Sequence, residues 1–164
     1  MPFRPIVNET RTWQFVLGEF LQISLNKLNL NDPYRVSNSE AVVSILQKYH
    51  NSDVNFCSFD AVDMFYNLDH EILIESITDA IEEYGAINFQ NDSHISINDF
   101  LRLISVYLKS SIIEIENEVD NKTKKIYYKQ KSGVCIGSKI ASNLSDLFTA
   151  KINKKIEKIL KVKN

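Results

Sequence analysis

Residues 58–67 read SFDAVDMFYN and follow an apolar run, Val54, Phe56 and Phe59, that predicts a strand over 54–60. Such a strand commits the chain to a sheet and delivers Asp60 to its carboxyl end, with Asp63 and the aromatic pair Phe65-Tyr66 just behind. Carboxylates placed in this way hold Mg²⁺ in phosphoryl-transfer sites. A strand-end aspartate that caps the next turn is the plainer reading, and on this segment alone it is the favoured one.

At 164 residues the chain has the length of one domain with one core, 1–164. It contains no apolar run near the roughly 20 residues of a membrane span, and MPFRPIVNET lacks the apolar core and cleavage site of a secretory signal. An intracellular protein, in cytoplasm or nucleus and without a membrane partner, is expected. Cys57 and Cys135 have no zinc or disulfide spacing and are expected as two buried free thiols. His50, His70 and His94 fall in three different predicted elements and show no helical pairing, which argues against a metal site or a nucleophile triad.

The net charge of −2 conceals a split. Through Asp120 there are 7 Lys and Arg against 19 acids, or −12; from Asn121 onward 12 Lys face Asp146 and Glu157, or +10. The basic part has the density to contact phosphates along one face, or it is a solvated helix face with a basic tail.

Five helical patterns organise the rest. Thr10 caps a first helix bearing Trp13, Val16, Leu17, Phe20, Leu21, Leu25 and Leu28, and NLNDPY breaks it. Ser37 and Glu40 form a capping-box pattern for a second. Asp69 caps a third, which Gly85 ends, and NFQNDSH is a loop. Ile97–Lys109 is the next helix; SIIEIENEV, the turn DNKTK and KIYYKQ make a hairpin, and a closing helix runs from Ser138. The class is α+β, helix-rich, with a small antiparallel sheet.

Directly after the hairpin comes YKQKSGVCIGSKIASNLSDLF, two glycines in a short loop that feeds a helix, an arrangement that brings backbone N–H groups close to a phosphate or base. Gly133 and Gly137 are four apart and Lys139 falls one residue late, so this is not a nucleotide-binding P-loop. SFDAVDMF resembles motif A of reverse transcriptases, QKSGVCIGSKIASNLSDLF resembles motif B, and RPIV at Arg4 resembles the fingers motif. The order and spacing are most similar to the reverse transcriptases of Penelope-like retroelements, from about Arg4 to Lys158.

The resemblance implies part of a fingers and palm domain acting with an RNA template, a DNA primer, deoxynucleoside triphosphates and two Mg²⁺ ions. Asp60 would ligate both ions and Ala61 would lend its carbonyl. Phe65 would exclude a ribose 2′-hydroxyl, and Arg4 would hold the triphosphate. Gln130 and Gly137 would support the nucleotide, with Gly133, Ser138 and Lys139 along the template and primer. The family's second aspartate motif, Tyr/Phe-x-Asp-Asp, has no counterpart in these residues. One carboxylate cannot hold two ions, so no polymerase activity is expected from the isolated chain, and an uncovered sheet edge is expected to favour self-association. The alternative is a non-catalytic nucleic-acid-binding or scaffold protein on a degenerate form of the fold.

Overall fold

Apolar residues at helical spacing become helices over most of the chain, and the segment of two-residue alternation after them becomes a hairpin. The computed structural model describes residues 6–50, 53, 55–119 and 122–162. In order these form α1 (Trp13–Leu25), α2 (Ser39–Lys48), α3 (Met64–Asn67), α4 (His70–Tyr84), α5 (Ala86–Ser93), α6 (Ile97–Leu108), β1 (Ile112–Val119), β2 (Lys122–Lys129) and α7 (Ala141–Val162). The protein is α+β and helix-rich, with one two-stranded antiparallel sheet among the described residues.

Local chemistry sets the helix starts. Asp69 accepts from the Glu71 and Ile72 amides at 2.8 and 3.0 Å and opens α4, as its position in the sequence predicts. Ser96 opens α6 by accepting from the Asp99 amide. At α2 the cap is Asn38, bonded to the Ala41 amide at 2.9 Å, rather than the expected Ser37. Thr12 precedes α1 in place of Thr10, because the Glu9 carbonyl takes both its amide and its hydroxyl into a turn.

A single core joins these helices. Leu73, Ile77 and Ile81 of α4 meet Phe89 of α5, Phe100 and Ile104 of α6 and Leu144 of α7, and α1 adds Leu21 and Leu25. Phe89 and Phe100 pack edge to face with centroids 4.9 Å apart. The hairpin pairs Ile112 with Lys129 through Val119 with Lys122, so its turn is shorter than DNKTK.

Three further expectations are corrected. Residues 55–60 form no strand, and Phe56 and Phe59 are 59% and 90% exposed. A strand exists through its ladder, and among the described residues no strand runs beside this segment. Val54 lies outside the described residues. The expected loop 88–94 is mostly helix: Gly85, at φ +101, ends α4 and starts α5, and burial of Phe89 outweighs the poor helix propensity of Asn, Asp and Ser. Cys135 is buried but Cys57, in the strandless segment, is exposed. No helix among the described residues is long and apolar enough to cross a membrane.

Candidate functional site

The loop between β2 and α7 is where three distant parts of the chain meet. Gly133 has φ +75, and a Cβ on it would lie 2.6 Å from the carbonyl oxygens of both Phe65 and Tyr66. Only glycine admits that approach. The Gly133 amide donates to the Leu68 carbonyl at 3.0 Å and the Val134 amide to the Phe65 carbonyl at 2.7 Å. Gly137, at φ +97, makes the second approach: a Cβ there would lie 2.6 Å from the Val7 carbonyl oxygen. Val7 in turn donates to the Ile136 carbonyl at 2.9 Å, with a parallel bridge between Ile6 and Ile136.

Asp60 and Ala61 lie in exposed irregular chain at the mouth of a cleft of about 220 Å³, lined also by Asp63, Met64, Phe65, Tyr66 and Ile136. Asp63, at φ +46, starts α3, and its carbonyl accepts from the Tyr66 and Asn67 amides. The short helix thereby turns Phe65 toward the core edge while Asp60 stays in solvent. Carboxylate oxygens of Asp60 and Asp63 suit Mg²⁺ in kind. Two ions about 3.5–4 Å apart need more carboxylate than this pair, and no third such ligand joins them among the described residues.

A second cavity of about 270 Å³ lies behind the loop, lined by Val7, Tyr66, Ile113, Tyr128, Gln130 and Cys135 among others. Gln130 is held by its own loop: its amide nitrogen donates to the Ser132 carbonyl at 2.8 Å and its oxygen accepts from the Cys135 thiol. Burial pushes that thiol above the ordinary cysteine range, with a smaller push from the charge of Glu9. The Tyr66 hydroxyl is buried without a hydrogen-bond partner among the described residues.

The expected site residues are therefore distributed as follows. Phe65 lines one cleft with Asp60 and Ala61, Gly133 packs on the Phe65 and Tyr66 carbonyls and Gly137 on Val7, and Gln130 lines the second cavity. Ser138 follows the loop, its amide bonded to the Cys135 carbonyl at 3.2 Å. Lys139 is drawn to α1, with its ammonium 4.0 Å from the Phe15 ring centroid and 3.9 Å from Glu19. Arg4 lies outside the described residues.

Sequence reasoning missed His70, whose Nε2–H donates to the Gly133 carbonyl at 2.7 Å, and the buried pair Glu9 and Tyr107. Neither carries a local signal, because the partners are distant in sequence.

Part of the basic half of the chain faces the acidic half. Lys151, its side chain 10% exposed, sits between Glu75 at 2.9 Å and Asp79 at 2.8 Å on α4, and Lys154 pairs with Glu83. Burial works against the Lys151 charge, but the two carboxylates outweigh it and hold the ammonium above the ordinary lysine range. Lys124, Lys129 and Lys131, around the hairpin and loop, are exposed and have no carboxylate partner among the described residues. No protein-family model, curated protein or solved structure matches this chain.

Proposed function

We propose that the chain is part of an RNA-directed DNA polymerase of the reverse-transcriptase kind, resembling those of Penelope-like retroelements and carrying portions of its fingers and palm. The observation that supports this reading is the convergence at the two-glycine loop. Val7, the last residue of the RPIV segment, meets Gly137, while Phe65 and Tyr66, five and six residues after Asp60, meet Gly133. Sequence resemblance alone required only that these segments occur in order; it did not require them to touch.

On this reading Asp60 and the Ala61 carbonyl would hold Mg²⁺, which would supply charge stabilisation at the phosphates, and Phe65 would lie beneath the sugar of a deoxynucleoside triphosphate. Steric rejection of a 2′-hydroxyl by an aromatic ring needs no hydrogen-bond readout. The backbone of the glycine loop and Gln130 border the nucleotide and template. Two-ion catalysis belongs to a longer protein that also supplies the second aspartate motif.

Primer extension on a primed RNA template with Mg²⁺ or Mn²⁺ is expected to be absent with these 164 residues alone. Templated synthesis lost in Asp60→Ala would overturn that expectation. Photo-crosslinking with a 4-thio-deoxyuridine triphosphate tests the binding surface directly. Label is expected on the peptide containing Phe65, dependent on Mg²⁺ and weakened in Asp60→Ala; no label above that with an unrelated acidic protein would sink the proposal.

A second reading, a non-catalytic nucleic-acid-binding protein on a degenerate fold of this kind, draws on exposed Lys124, Lys129 and Lys131. It predicts RNA binding that falls steeply with salt and is indifferent to Asp60→Ala.

A further inference from the structure

Glu9 and Tyr107, 98 residues apart, are 7% and 2% exposed. The Tyr107 hydroxyl donates to both oxygens of the Glu9 carboxylate, at 2.7 and 2.5 Å. A carboxylate stays buried only where donors meet it. Neither residue lines the Asp60 cleft, so the pair has another task.

Its position shows what that task is. The Glu9 carbonyl accepts from the Thr12 amide at 3.1 Å and the Thr12 hydroxyl at 2.6 Å, and Arg11 takes φ +66, which closes a tight turn just before α1. Gly18 of α1 leaves room for the tyrosine, since a Cβ there would lie 3.0 Å from its hydroxyl oxygen. Two residues before Glu9, Val7 is bonded to Ile136 and its carbonyl rests against Gly137. Anchoring Glu9 on α6 therefore fixes the strip of chain that backs the two-glycine loop.

We propose that Glu9 and Tyr107 form a latch: their bond ties segment 6–12 to α6 and keeps loop 133–137 seated on Phe65 and Tyr66. Both are positioning residues. The latch rests on the polymerase reading only for the meaning of the loop it holds. In Tyr107→Phe the carboxylate is buried with no donor among the described residues, so it moves to water and takes segment 6–12 with it. Glu9→Gln keeps an acceptor for the Tyr107 hydroxyl and leaves the latch closed.

Buried Cys135 lies within the loop and reports its opening, and exposed Cys57 is removed as Cys57→Ser. In that background Tyr107→Phe is expected to raise the rate of Cys135 labelling by an aromatic disulfide reagent about tenfold or more, with Glu9→Gln within about threefold of the parent. Unchanged labelling in Tyr107→Phe, or equal acceleration in both variants, would overturn the latch. Should Tyr107→Phe not fold, hydrogen exchange of the parent protein decides the matter. The Val7 and Val134 amides, opened by one event, should exchange at matching protection, and a difference beyond about tenfold would overturn the latch. None of these readouts involves nucleotide or template, so failure of the latch and failure of the polymerase reading are separable.

Discussion

At Gly133 a single missing methyl decides whether two distant segments can meet. A side chain there would be strained by φ +75 and would also collide with two backbone carbonyls that cannot swing aside. Gly133→Ala is expected to cost about 2–3 kcal/mol in urea unfolding, and a loss under about 0.5 kcal/mol would mean that the loop is not seated on Phe65 and Tyr66. Tyr66 is the opposite case. Its buried hydroxyl has no partner among the described residues, so Tyr66→Phe removes an unmet desolvation cost and is expected to be neutral or stabilising by up to about 1 kcal/mol in the same measurement. A clear destabilisation would show that the hydroxyl is bonded in solution. The sequence marks Gly133, Gly137 and Phe65 as special, because glycines before a helix and aromatics after an acid follow spacing rules. It does not mark Glu9, Tyr107 or His70, whose roles exist only once the chain is folded.

Among the elements, the helices were legible where a cap and a repeating apolar face coincide, as at Asp69 with Leu73, Ile77 and Ile81. Residues 55–60 were not, because an apolar run specifies that a strand would suit it and says nothing of the neighbour that the strand needs. The same limit hid α5: its polar composition reads as loop, and only Phe89 in the core makes it helix. The hairpin, by contrast, carries its own neighbour and its own electrostatics. Lys125 bonds Glu114 at 2.7 Å and lies 3.3 Å from Glu116, and bonds from Lys125 and then Tyr127 hold the Glu114 carboxyl below the ordinary glutamate range. A group whose pKa is lowered by folding adds stability above its unfolded pKa and loses it as pH falls through the folded one. Cross-strand contacts between Glu114 and Tyr127, followed by NMR, should hold at neutral pH and weaken in acid below the usual glutamate range. Because the pair is exposed, added salt should blunt the effect, and contacts unaltered by acid would show that shape alone holds the hairpin.

For the molecule as a whole, the opposed charges of the two halves are brought together by packing α7 on α4. Lys151 and Lys154 spend their charge on Glu75, Asp79 and Glu83, so the basic density of the sequence overstates what α7 presents to a polyanion. The folded pKa of Lys151 is raised, so its contribution is complete below the unfolded lysine pKa and is lost only as pH climbs through the folded value; it is insensitive to pH near neutrality. Neutralising the acidic row as Glu75→Gln, Asp79→Asn and Glu83→Gln separates the two uses of these lysines. If α7 lies along a nucleic-acid path, the freed ammonium groups gain phosphates, and binding to single-stranded RNA should tighten, its dependence on log salt steepening by roughly one to two units. If that helix faces away from the path, affinity and slope should stay as in the parent. Binding then belongs to the hairpin and loop lysines, and Lys129→Gln with Lys131→Gln should flatten the slope by a similar amount. Affinity and salt slope unchanged in both sets would remove nucleic acid as a partner of this surface and, with it, the support that the basic half lends to both functional readings.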